Sequence, residues 1–141
     1  MKKVFIDTNI LIDYFSKRSP FFGPAATIVQ LGHQRKCQIL VSAMSFATTS
    51  FILEAHHKLT NEVIVKKYAD FVKMCHITTI DSQVINKSIA SKFPDFEDAM
   101  QYYSATSEKA DCIITRNKKD FATSYIDIYE PTEFLQILTA K

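Results

Sequence analysis

Apolar and polar positions follow two rhythms along this chain. Short apolar runs rich in β-branched and aromatic residues end at Ile6, Val41, Ile80, Thr115 and Tyr129. They predict strands at Val4–Ile6, Gln38–Val41, His76–Ile80, Cys112–Thr115 and Ile126–Tyr129. Between them the spacing turns helical: Ile10, Leu11, Tyr14 and Phe15 form an i, i+1, i+4, i+5 stripe, which is one buried face of a short helix.

Punctuation sets the helix bounds. Ser19-Pro20 ends the first helix, and Pro24 suits the first turn of a second running to about Arg35. Ser42 or Ser45 caps a long third helix that carries Phe46, Phe51, Ile52 and Ala55 toward His56-His57-Lys58. Thr60-Asn61-Glu62 opens a fourth with Val63, Tyr68, Phe71 and Val72 facing inward, and Asp81 caps a fifth of Val84, Ile85 and Ile89. After the Phe93-Pro94 stop, Asp95-Phe96-Glu97-Asp98 starts a helix through Ala99, Met100, Tyr103 and Ala110. Pro131-Thr132-Glu133 leads into a last helix of Phe134, Leu135 and Leu138. Such alternation implies an α/β domain with a parallel sheet covered on both faces. Phe21-Phe22 in the turn before Pro24 reads as core or as a homodimer contact.

Composition narrows the function. A chain of 141 residues, 47% hydrophobic and 23% charged, is expected to make one domain, residues 1–141. Its two glycines, Gly23 and Gly32, exclude the phosphate-cradling glycine loops of nucleotide enzymes. A net charge of +2 permits nucleic-acid binding without announcing it. Cys37, Cys75 and Cys112 are odd in number and lie in or beside predicted strands, as buried free thiols of a reducing compartment do. The apolar run after Met1-Lys2-Lys3 stops at Asp7, too soon for a signal peptide, and Cys37–Leu53 is interrupted by hydroxyls. No membrane segment and a cytoplasmic location are therefore expected.

The chemistry gathers at strand ends. Asp7 follows the first strand immediately, where ligands bind in open α/β sheets, while Thr8 or Asn9 suffices to cap the helix. Asp95 to Asp98 open a helix, and Asn117 to Asp120 follow the fourth strand. If the first and fourth strands are neighbours, Asp7 and Thr115-Arg116-Asn117 stand side by side, with Asp98 brought in by its helix. Ordinary structural roles compete: Asp95-x-x-Asp98 resembles a capping box, and Asp120 suits a turn. Clustered carboxylates either share protons or hold a metal, and hard oxygen ligands without His or Cys favour Mg²⁺ or Mn²⁺. An ion so held supports phosphodiester hydrolysis. His56-His57 reads instead as a helix end, since adjacent helical side chains point about 100° apart.

Val4-Phe5-Ile6-Asp7-Thr8-Asn9, Val41-Ser42-Ala43 before a helix, Asp98-Ala99 with Ala105 further on, and Ile114-Thr115-Arg116-Asn117-Lys118-Lys119-Asp120-Phe121 together resemble a PIN domain of the VapC toxin kind. The likeness spans nearly the whole chain. It implies a three-layer α/β/α sandwich with a central parallel sheet, frequent homodimers, RNA cleavage with Mg²⁺ or Mn²⁺, and a small antitoxin protein as partner. Carried over residue by residue, it makes Asp7 and Asp98 the metal ligands, with Thr115, Asn117 and Asp120 completing the polar site. Arg116, Lys118 and Lys119 would meet phosphates of the RNA, alongside Thr115. One departure stands out: Thr48 occupies the place where the family usually has Glu. Glu54 lies about 9 Å further along the helix and roughly 240° around it, a poor substitute.

The expected function is a metal-dependent ribonuclease, the toxin of a toxin–antitoxin pair. The alternative is a catalytically degenerate PIN domain acting as an RNA-binding or protein-interaction module. An aspartyl phosphohydrolase is disfavoured because Asn9 stands where a second acid would be expected.

Overall fold

Five strands join into one sheet in the order β3-β2-β1-β4-β5, every neighbouring pair parallel, in a computed structural model that describes residues 1–139. Residues 140 and 141, which the sequence reading includes in the same domain, lie outside the described residues. The strands are β1 Lys3–Ile6, β2 Gln38–Ser42, β3 Cys75–Thr78, β4 Cys112–Ile114 and β5 Asp127–Tyr129. The helices are α1 Thr8–Ser16, α2 Phe22–His33, α3 Ala43–His57, α4 Asn61–Phe71, α5 Ser82–Ala90, α6 Phe96–Ser107 and α7 Pro131–Thr139. A short 3₁₀ turn spans Lys118–Phe121.

Side-chain alternation divides the core in two. Val4 and Ile6 of β1, Ile39 and Val41 of β2, and Cys112 and Ile114 of β4 point to one face, where α1, α2, α3, α4 and α7 contribute Ile10, Ile28, Leu53, Ile64 and Phe134. Phe5, Leu40 and Ile113 point to the other, against Tyr102 and Ala105 of α6 and Phe121 of the 3₁₀ turn. Helices on both faces of a parallel sheet make the three-layer α/β/α sandwich. Gly32 lets α2 approach β2 closely, since a Cβ there would stand 2.6 Å from Ile39 Cγ1.

The strand order places the site. From β1 the chain moves outward through β2 to β3, then returns to lay β4 on the other side of β1. That reversal makes the carboxyl ends of β1 and β4 a topological switch point, where two neighbouring crossovers leave a crevice.

Several inward faces differ from the periodic pattern. On α3 the buried residues are Ser45, Thr49 and Leu53, whereas Phe51 is 67% exposed and Ala55 is exposed. This helix packs against α1, and its small polar residues permit a close approach there. On α4 the buried residues are Ile64 and Phe71; Val63 and Val72 are exposed. α5 packs chiefly on α6, so only Val84 and Ser88 are buried and Ile89 faces outward. The edge strand β3 begins at Cys75 and ends at Thr78, short of the expected Ile80, and leaves Ile77 exposed. α6 stops at Ser107, so buried Ala110 lies beyond it. The phenylalanine pair is split: Phe22 stacks on Tyr14 with centroids 6.2 Å apart, while Phe21 lies beneath the Arg116 guanidinium. His56 and His57 are exposed at the end of α3, which Lys58 closes in a left-handed conformation.

Candidate active site

Asp7 begins at the end of β1, and its backbone N–H donates to the Ile114 carbonyl of β4 at 2.9 Å. The chain turns there from extended to helical, and Asp7 itself is the N-cap of α1, its carboxylate accepting from Thr8 N–H at 2.9 Å. The sequence reading left the cap to Thr8 or Asn9; the carboxylate performs that task as well as facing the crevice. Its Oδ2 accepts from Thr115 Oγ1 at 2.8 Å and from Asn9 Nδ2 at 3.4 Å. Thr115 Oγ1 accepts in turn from Asn9 Nδ2 at 3.3 Å and from the Asn117 N–H at 3.1 Å. The hydroxyl thus donates once and accepts twice, which exhausts its capacity.

On the other oxygen the partner is Gln101 of α6, fully buried beside Ser42, Ser45 and Thr8. Its Nε2 lies 3.2 Å from Asp7 Oδ1, 3.0 Å from Thr8 Oγ1 and 2.9 Å from Ser45 Oγ. Two amide protons therefore serve three acceptors. Gln101 Oε1 accepts from Ser42 Oγ, the N-cap of α3, which also receives the Ser45 N–H at 3.2 Å. One amide side chain ties the beginnings of α1 and α3 to the candidate ligand.

Asp98 enters from the first turn of α6. Asp95 caps that helix by accepting from the Asp98 N–H at 3.0 Å, as the capping reading expects. Asp98's carboxylate forms no return bond to Asp95 N–H among the described residues, and it faces the crevice. An open cleft of about 230 Å³ has the carboxylates of Asp7, Glu97, Asp98 and Asp120 in its lining, together with Asn9, Gln101 and Asn117, and Met44 of α3. Burial raises the Asp7 carboxyl above its ordinary range, opposed by the bonds from Gln101, Thr115 and Thr8. Asp98 is pushed up to about 7, first by burial and then by the charges of Asp7, Asp95, Asp120 and Glu97.

These residues fit a hard divalent cation. Among the described residues no three His, Cys, Asp or Glu side chains already form a metal-holding group. Mg²⁺ asks for less: one or two carboxylates, retained waters and substrate phosphates. Asp7 and Asp98 meet that requirement, and their mutual repulsion is what a cation would relieve.

The whole stretch from residue 3 to residue 119 matches the sequence profile of the PIN domain. The chain belongs to the PIN domain family. This PIN domain is 24% identical over 140 residues to a protein named Ribonuclease VapC1 from Aquifex aeolicus (strain VF5), covering 96% of the chain and 94% of that relative. A protein from a toxin–antitoxin complex of Klebsiella pneumoniae shares its fold with a TM-score of 0.66 at 22% identity, over 91% of this chain and 97% of that one. So does Mycobacterium tuberculosis VapC20, described as a sarcin-ricin loop cleaving toxin, with a TM-score of 0.68 at 11% identity, over 89% and 98%.

The basic residues of this PIN domain do not line the cleft. Arg116 donates from Nε to Asp13 Oδ2 at 2.6 Å and from Nη2 to Asp13 Oδ1 at 3.3 Å, and its guanidinium covers the Phe21 ring at 4.0 Å. Lys118 pairs with Glu133 at 3.1 Å in an exposed bridge, and Lys119 is exposed. Thr48 is half-buried on α3 and does not line the cleft, which meets Met44 there. Gln101, Ser42, Ser45 and Thr8 were absent from the expected site. Gln101 lies three residues after Asp98, on the same face of α6, the one sequence signal that could have found it.

Proposed function

We propose that this PIN domain is a metal-dependent ribonuclease, the toxin of a toxin–antitoxin pair. The observation that carries the proposal is the convergence of Asp7, Asp98 and Asp120 in one cleft at the β1/β4 switch point of a PIN fold. Asp7 and Asp98 would hold Mg²⁺ or Mn²⁺, which lowers the pKa of a bound water and neutralises charge developing on a phosphodiester.

The chain's own residues supply the arrangement. Thr8 N–H, Gln101, Thr115 and Asn9 fix the Asp7 carboxylate in one orientation, so no rotor must be ordered on binding. Asn117 and Asp120, which line the same cleft, orient water. Lys118 and Lys119 reach the backbone of an RNA laid over the cleft; the Glu133 bridge to Lys118 is exposed and cheap to break. Arg116 would meet phosphates with the donors that its pair with Asp13 leaves over. A small antitoxin as partner is supported by the structural likeness to members of toxin–antitoxin complexes. A homodimer and a cytoplasmic location complete the reading, the latter in keeping with three free thiols.

Thermal unfolding of wild type, Asp7→Asn and Asp98→Asn against rising Mn²⁺ tests the site without a guess at substrate. At a hundred times its dissociation constant an ion stabilises by about 2.7 kcal/mol. Asp98→Asn matters because Asp7 is buried and caps α1, so an amide there disturbs the fold too. Wild type should shift, both variants should not, and neither variant should cut RNA. Undiminished cleavage by Asp98→Asn removes the proposal.

Thr48 and the Met44 wall favour a second reading, a PIN domain that binds RNA or protein without cutting. It predicts no Mn²⁺ shift in wild type, with binding whose salt dependence follows the basic residues.

A further inference from the structure

Next to the carboxylate cleft lies a groove of about 320 Å³ whose walls include Lys92, Phe93, Tyr102, Tyr103, Thr123 and Tyr125. The two depressions draw on the same two segments of chain. α6 gives Asp98 and Gln101 to the cleft and Tyr102 and Tyr103 to the groove, so that Asp98 and Tyr102 stand one turn apart, about 6 Å of helix rise. The segment after β4 gives Asn117 and Asp120 to the cleft and Thr123 and Tyr125 to the groove.

The groove is chemically unlike the cleft. Phe93 contacts Tyr102 and Tyr103 with ring centroids 5.1 and 6.1 Å away, and Tyr102 contacts Tyr103 at 5.1 Å. Tyr125 is 96% exposed, contributing nothing to either core cluster, yet its backbone N–H is tied to Tyr102 Oη at 3.1 Å. No acidic residue lines the groove among those described, and Lys92 supplies a cation. A polyanion leaving the carboxylates along α6 therefore meets aromatic rings and one cation, Lys92.

We propose that this groove is a nucleobase-stacking subsite, which seats an unpaired base of an RNA strand whose phosphodiester lies at the Asp7–Asp98 cleft. The inference rests on the ribonuclease reading and adds to it a place beside the cleft that holds an unpaired base. Paired bases have no free face to offer, whereas an unpaired base stacks on tyrosine with little regard to sequence.

The test uses the Asp98→Asn chain with Mg²⁺ and an eight-nucleotide single-stranded RNA of mixed sequence, carrying 2-aminopurine at each position in turn. Emission is expected to be quenched at one or two adjacent positions. Replacing Tyr103 and Tyr125 together by Ala should abolish the quench and weaken binding by about tenfold or more, while replacing both by Phe should preserve each effect. A complementary strand annealed to the probe should remove it. In the otherwise wild-type chain, the paired Ala substitutions should leave Mn²⁺ stabilisation as it is in wild type, which separates the groove from the fold and the cleft. Unchanged quenching and affinity in the Ala variant, or equal quenching by the duplex, overturns the subsite even if wild type cuts RNA. If wild type neither cuts RNA nor responds to Mn²⁺, the ribonuclease reading fails, and quenching still decides whether the groove seats a base.

Discussion

Gln101 holds Asp7 by direct contact: its amide nitrogen lies 3.2 Å from Asp7 Oδ1, although 94 residues separate the two in the chain. Removing that amide leaves Asp7, Thr8, Ser42 and Ser45 with buried polar atoms short of a partner. Gln101→Leu is expected to cost about 1–3 kcal/mol, the range for stranding buried polar groups. It should also weaken Mn²⁺ binding, because Asp7 loses the contact that orients it. Urea unfolding reads the first effect and a Mn²⁺ titration the second. A destabilised variant with wild-type Mn²⁺ affinity would restrict Gln101 to a structural part.

Asp98 gives the site a pH dependence of known sign. Its carboxyl rises from 3.8 to about 7 on folding, through burial first and then neighbouring acids. A raised acid binds its proton more tightly in the folded chain, so the metal-free fold loses stability as pH climbs through that interval and levels off above it. Asp7 is shifted the same way. In EDTA, wild type should melt lower at about pH 7.5 than at about pH 5, and Asp98→Asn should show a shallower decline. Mn²⁺ should restore wild type, and not the variant, at the higher pH. Equal pH slopes for the two proteins would mean that Asp98 titrates as an ordinary surface acid.

The sequence made β1, its acid and the parallel alternation legible, because a short apolar run ending in Asp7 has few readings. Asp98 and Asp120 were also legible, being acids at the start of an element. Gln101 was not: an amide in mid-helix carries no charge, and only the packing of α6 over β2 turns it toward Ser42 and Asp7. The inward faces of α3 and α4 misled for a related reason. Apolar periodicity reports what packs on a broad surface, and α3 meets α1 through Ser45 and Thr49 while Phe51 stays in solvent. Arg116, read as a phosphate contact, also holds Asp13, a partner that only the fold brings beneath it.

That ion pair separates a structural arginine from a phosphate-binding one. Asp13 is completely buried on α1 and receives two bonds from Arg116, whose other flank rests on Phe21. Arg116→Ala would leave a buried carboxylate without its cation, at a cost of about 3 kcal/mol. Adding Asp13→Asn should recover part of the loss, since the stranded charge is gone. Denaturation midpoints of the single and double variants measure both. A single variant as stable as wild type but slower in cleaving RNA would return Arg116 to the substrate.

Thr48 can be tested by restoring what the family usually carries there. It stands one turn beyond Met44, which lines the cleft, and helical side chains lean toward the N-terminus of their helix. A glutamate at this position would extend past Met44 toward Asp7 and Asp98. Without metal, a further carboxylate adds repulsion to acids already raised by one another, so Thr48→Glu should melt below wild type in EDTA. With Mn²⁺ the order should reverse, with affinity rising by roughly tenfold, about 1.4 kcal/mol. The gain should vanish when Asp7→Asn is added, because the new carboxylate needs the old one to share the ion. If Thr48→Glu folds and binds Mn²⁺ no better than wild type, its side chain does not reach the cleft. The absence of Glu at this position would then say nothing about activity, and the non-cutting reading would lose its main support.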